Sequence, residues 1–174
     1  MSRKPEIEKL KTGLTGEYLV AGIMQMKGWI SSLTLKNYPG VDIFGRREVD
    51  GIVQHADIQV KTTRDNTFWV GVKHSDLDSE IEKKIKGPYV LVHLPKEESD
   101  DERKTQTNLS GIDFYILSQK QIIKLIRDTD DAYQKKDRGE KKLKDDYSVA
   151  ILLKRDRELL KPFKDQWENL WVED

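Results

Sequence analysis

The chain has 174 residues, of which 36% are charged, with 31 basic side chains balancing 31 acidic ones, and it has no cysteine. That length suits one domain with a real core, and zero net charge means any basic surface for nucleic acid must be local. The missing cysteine excludes a disulfide framework, a thiolate zinc site and a cysteine nucleophile, while no apolar run nears the ~18 residues of a membrane span. The opening M-S-R-K-P-E-I-E lacks the apolar core of a signal peptide, so a cytoplasmic protein with no membrane partner is expected.

Residues 5–27 read as a helix. Ile7, Leu10, Leu14, Ala21 and Met24 recur close to a three-to-four spacing, and Pro5 suits a first turn. Gly13 and Gly16 each weaken a helix by up to roughly 1 kcal/mol relative to alanine, which predicts that something packs very close to it. Glu17 lies about a hundred degrees round the helix from Gly16 and is either solvated surface or part of a site. Gly28 ends the helix, Trp29–Leu35 reads as a strand, and N-Y-P-G at 37–40 marks a turn.

A second strand is expected over Val41–Phe44 and a third over Asp57–Thr63, with a polar connection between them through Arg46, Arg47, Glu48 and Asp50. Ile58 and Val60 alternate with Asp57, Gln59 and Lys61, the period of a strand with one buried face. Gln59 and Lys61 then project from one face, roughly 6–7 Å apart. After a turn at Arg64-Asp65-Asn66, Thr67–Lys73 reads as a fourth strand with Phe68, Val70 and Val72 on one face and Trp69 on the other.

Residues 75–86 can form a short charged helix carrying Leu77, Ile81 and Ile85, which Gly87-Pro88 breaks. Tyr89–Leu94 and Ile112–Leu117 read as strands, and Ser118 with Gln121 forms a capping box for a helix to about Asp128. The charge-dense stretch 130–146 is either a mobile loop or a basic arm following a nucleic-acid backbone. Residues 96–104 and 135–146 hold too little apolar surface to offset the entropy of ordering them, so mobility is expected. Val149–Leu153 is a last strand or the start of a helix, and a final helix over Lys161–Leu170 presents Phe163, Trp167, Leu170 and Trp171. The predicted fold is α/β, a mixed sheet with helices on its faces. Residues 1–129 form the main domain, 130–148 a charged connection, and 149–174 a helical appendage packed on the same domain.

Glu17, Gly28-Trp29, Asp42 in P-G-V-D-I-F and Gln59-Val60-Lys61 in D-I-Q-V-K-T-T together resemble the PD-(D/E)XK nuclease superfamily. The Q-x-K form is similar to that of Mrr-like restriction endonucleases, and the layout to that of archaeal Holliday-junction resolvases. The resemblance spans residues 10–94 and implies a restriction-endonuclease-like core of helix, three strands, helix and strand. It departs from the family pattern at Pro39, which stands three residues before Asp42 rather than beside it, and at Gln59, where glutamate is usual.

The implied activity is metal-dependent hydrolysis of DNA phosphodiesters in restriction, defence or repair. Asp42 and the Val60 carbonyl would hold Mg²⁺ (or Mn²⁺), with Gln59 offering its side-chain carbonyl and Glu17 a second negative charge. The metal would polarise the phosphate and lower the pKa of a bound water; Lys61 would position that water and offset growing charge. Arg46, Arg47, Arg64, Lys73 and His74 suit phosphate contacts, although charges at strand edges also guard against aggregation. Cutting both strands needs two sites, so a homodimer is expected. The alternative is a catalytically silent nuclease fold that binds DNA or serves as an assembly module. In the plainest reading Asp42 caps a turn, Gln59 bonds along the sheet and Lys61 reaches solvent.

Overall fold

In the computed structural model, which describes residues 4–35, 39–78, 80–95, 109–135 and 146–171, the chain opens with helix α1 (Lys4–Met26). Gly28 closes it at φ 82°, in the left-handed region that glycine enters without a side-chain clash. The next amide, Trp29 N–H, donates back to the Met24 carbonyl at 3.0 Å.

Three strands follow as an antiparallel meander: β1 (Ile30–Leu33), β2 (Ile43–Val49) and β3 (Ile52–Thr63). Here the structure corrects the expected polar connection. Arg46 pairs with His55 and Arg47 with Gln54 inside one long hairpin, turned by Asp50 at φ 51° and Gly51 at φ 79°. Two consecutive residues at positive φ make the tight turn whose twist matches the flanking strands, and Asp-Gly is its preferred dipeptide.

β4 (Thr67–Lys73) then leaves the sheet. A 3₁₀ turn (His74–Asp76) and the single-turn α2 (Ile81–Lys84) lead to β5 (Tyr89–His93), which pairs parallel to β3. The expected longer helix over 75–86 is cut short at its start because Asp76 Oδ2 accepts the Lys73 amide at 2.7 Å. β6 (Asp113–Leu117) adds antiparallel to β5, giving a five-stranded mixed sheet in the order β1-β2-β3-β5-β6. Ser118 and Gln121 cap helix α3 (Gln119–Gln134) reciprocally, as predicted. That helix runs past Asp128 into the expected connection because Thr129 and Asp130 are buried.

The C-terminal segment is not simply a helical appendage. β7 (Ser148–Leu152) pairs antiparallel with β4 in a separate two-stranded ribbon, and only short pieces follow, α4 (Arg157–Leu160) and 3₁₀ turns over Lys161–Phe163 and Trp167–Leu170. Asp165 at φ 57° interrupts the expected last helix, although Trp167 and Leu170 are buried as expected. The molecule is thus α/β, with a core on each side of the main sheet. α1 covers one face through Val20, Met24, Trp29, Ile43, Ile58 and Val90. The β4–β7 ribbon and α3 cover part of the other through Phe68, Val70, Leu91, Leu117, Ile122 and Ile151. Among the described residues no helix is long and apolar enough to cross a membrane. The stretches 96–108 and 136–145, where loops were expected, lie outside the described residues.

Candidate functional site at the fork between β2 and β3

β2 and β3 pair as far as Ile43 and Ile58, and the Asp42 amide still donates to the Ile58 carbonyl at 2.8 Å. Gln59 N–H then turns the other way, to the Pro88 carbonyl at 3.0 Å. Successive peptide groups of a strand point to opposite edges, so Val60 presents its N–H and its carbonyl to the side that β2 has left. Asp42 fills that gap, its Oδ2 accepting Val60 N–H at 2.7 Å. The carboxylate therefore caps a forked sheet rather than a turn. Thr34 fixes the backbone behind it: its amide donates to the Asp42 carbonyl at 2.9 Å, and its hydroxyl to the Val41 carbonyl at 2.7 Å.

Gln59 and Lys61 share a face of β3, aligned with Tyr89 and Leu91 of β5. Both are half-buried. Burial pushes the Lys61 ammonium below the usual amine range, while the Asp42 and Glu17 carboxylates pull it back up. Both carboxylates thus lie within electrostatic reach of the lysine. Among the described residues Lys61 forms no hydrogen bond or ion pair.

Glu17 arrives from the other side. The predicted close packing occurs at Gly16, where an added Cβ would sit 1.9 Å from Thr62 Oγ1 on β3. It does not occur at Gly13, where a Cβ would meet nothing within 4 Å; there the glycine leaves room. Gly13, Glu17, Lys9, Thr34 and Asp42 line one cleft of about 270 Å³ between α1 and the fork. Gln59 and Lys61 do not line it.

The basic residues predicted around the site divide. Arg46 stays exposed in β2, with the parity of Asp42. Arg47 is committed elsewhere, its guanidinium 4.4 Å from the centre of the Trp29 ring and its Nε bonded to Gln54. Arg64 donates to the Pro95 carbonyl at 3.0 Å. Lys73 and His74 belong to another cluster, Lys73 paired with Asp146 at 3.0 Å and His74 with buried Asp130 at 3.0 Å. The strand exchange of β4 carries them away from β3, which the sequence did not reveal.

The sequence reading missed Tyr89. It is buried beside Gln59, and burial followed by the Asp42 charge pushes its phenol up, so it stays protonated. Only the parallel pairing of β3 with β5 brings it there, and no local pattern announces that pairing.

The oxygen donors around the fork are the Asp42 and Glu17 carboxylates, which share the cleft, the Val60 carbonyl on the side that β2 has left, and the Gln59 amide on the face of β3 that Lys61 shares, outside that cleft. Among the described residues no group of three or more His, Cys, Asp or Glu side chains is arranged to hold a metal ion. Comparison with protein-family models, with curated proteins and with solved structures gives no match.

Proposed function

We propose that this chain is a metal-dependent endonuclease with a restriction-endonuclease-like core, hydrolysing DNA phosphodiesters. The observation that carries the reading is the fork: Asp42 locked to Val60 N–H, with Lys61 and Glu17 in electrostatic reach of each other. The element order lends support: α1, β1 to β3, the single-turn α2 and parallel β5 follow the order of the family's helix, three strands, helix and strand, with β4 and a 3₁₀ turn interposed before α2.

The donor set fits a hard cation. Asp42, Glu17, the Gln59 amide oxygen and the Val60 carbonyl are all oxygens, as Mg²⁺ and Mn²⁺ prefer. When bound, the ion supplies Lewis-acid stabilisation of phosphoryl charge. The remaining chemistry is the chain's own. Val60 N–H holds one Asp42 oxygen, which orients the other. Lys61, poorly solvated and uncommitted, offsets charge growing on the phosphate, where preorganised groups act most strongly. Tyr89 offers a neutral hydroxyl beside Asp42. Arg46, the one predicted arginine left exposed on that face, suits a backbone phosphate.

A second reading, a silent nuclease fold that binds DNA, draws on one observation: Gln59 contributes no charge, leaving two carboxylates. Incubating the protein with plasmid, branched DNA and RNA in Mg²⁺, Mn²⁺ or EDTA separates the two. Cleavage of DNA that EDTA abolishes supports the enzyme; binding without cleavage in every metal supports the silent module.

A further inference from the structure

A second cleft lies where the β4–β7 ribbon meets α3, about 580 Å³ in volume and within the range of roughly 300–1,000 Å³ typical of small-ligand sites. Trp69, Tyr133 and Tyr147 line it. Trp69 is 63% exposed, a large apolar ring on the outer face of β4. Beside it the ribbon breaks register: Trp69 pairs with Ala150 and Lys73 with Ser148, so four steps along β4 match two along β7. Gly71 takes φ 77° within that irregularity, a device that re-aims side chains near ligand sites.

The aromatic wall is rigidly built. Tyr147 stacks on His74 at 5.1 Å with planes 6° apart and packs on Tyr133 at 5.0 Å. Its hydroxyl donates to Asp130 at 2.6 Å. Thr129, which also lines the cleft, is 1% exposed, and its hydroxyl has no hydrogen-bond partner. That hydroxyl is closed off from the cleft, so Thr129 forms part of the floor under the aromatic wall.

We propose that this cleft binds a nucleobase, stacked on Trp69 and the tyrosine wall. The carboxylates argue against an ammonium ligand, because they are already engaged. Asp130 takes Tyr147, His74 and Gln134; Asp146 takes Lys73 and the Ser75 amide. Arg155, also in the lining, adds a positive charge that Asp156 holds in a two-point pair at 2.6 and 2.7 Å. Every base offers a π-face, so aromatic stacking tolerates any sequence. The inference goes beyond the proposed hydrolysis and does not depend on it.

Calorimetric titration in EDTA tests it, using adenosine monophosphate and a single-stranded oligodeoxyadenylate as probes. Wild type should bind at least one of them. Trp69→Ala should weaken binding by about 5- to 150-fold, the range for losing one base stack. Thr129→Val is the control: it should raise the thermal midpoint, because it removes an unpaired buried hydroxyl, and leave binding unchanged, because that hydroxyl does not reach the cleft. Tighter binding of the oligomer assigns the base to a polynucleotide; equal binding assigns it to a free nucleotide. Failure of both probes, unchanged binding by Trp69→Ala, or preferential binding of tetramethylammonium overturns the proposal.

Discussion

Replacing Gly16 by alanine places a methyl group 1.9 Å from Thr62 Oγ1 and 3.0 Å from both Thr62 Cβ and Cγ2. Rotating the threonine relieves the first contact but leaves carbon on carbon, so α1 must lift from β3. Overpacking of this kind costs about 1–3 kcal/mol, and alanine's helix propensity returns about 1 kcal/mol. A net loss of roughly 0–2 kcal/mol remains. The helix carries Glu17 at the next position, so Mg²⁺ affinity should fall along with stability. Gly13→Ala is the internal control, because a Cβ there meets nothing within 4 Å; it should stabilise by about 0.5–1 kcal/mol. Urea unfolding of both variants, with Mg²⁺ calorimetry, makes the comparison, and Gly16→Ala combined with Thr62→Ala should recover most of the loss. If Gly16→Ala matches Gly13→Ala in stability and keeps full Mg²⁺ affinity, then α1 does not position Glu17 as argued.

Lys61→Met should abolish cleavage yet raise stability at neutral pH by roughly 0.5–2 kcal/mol, the usual gain when a functional site is relaxed. Because the folded lysine has a lowered pKa, the unfolded chain binds more protons between that value and 10.5; wild-type stability therefore rises as pH climbs through that window and the methionine variant's does not. Urea midpoints at neutral and alkaline pH read both effects, and a variant less stable than wild type at pH 7 would contradict them. Gln59→Glu should tighten Mg²⁺ binding, since charge count tunes oxygen-ligand sites over orders of magnitude; calorimetry showing no gain would remove Gln59 from the ligand set. Gly51→Ala should destabilise by about 1–2 kcal/mol, the cost of a side chain in left-handed backbone at φ 79°, with Mg²⁺ affinity unchanged because the hairpin tip is remote from the fork.

What the sequence conveyed was periodicity and punctuation. The alternation across Ile58 to Lys61, the Phe68-Val70-Val72 stripe of β4, the Gly28 stop and the Ser118–Gln121 capping box are local signals, and each appears in the structure as an element of the expected kind. Asp50-Gly51 is equally local, but the charges around it read as a polar connection, whereas β2 and β3 stay paired right up to that turn. The departure of β4 to pair with β7 was not readable, because strand partnership is decided by burial between distant segments; both β4 and β7 present an alternating apolar face that could have joined either sheet. That exchange decides the surroundings of the site. It carries Lys73 and His74 to a different cluster and leaves Tyr89 beside Gln59.

The most direct test is to separate metal binding from cleavage at the fork. Calorimetric titration of Mg²⁺ and plasmid nicking are measured together on wild type, Asp42→Ala and Lys61→Ala. Asp42→Ala should lose both, since it removes the carboxylate anchored to Val60 N–H. Lys61→Ala should keep Mg²⁺ binding and lose cleavage, since in the proposed mechanism the ammonium acts on water and phosphate and not on the ion. Nicking that persists unchanged in both variants would contradict the assignment of hydrolysis to this site.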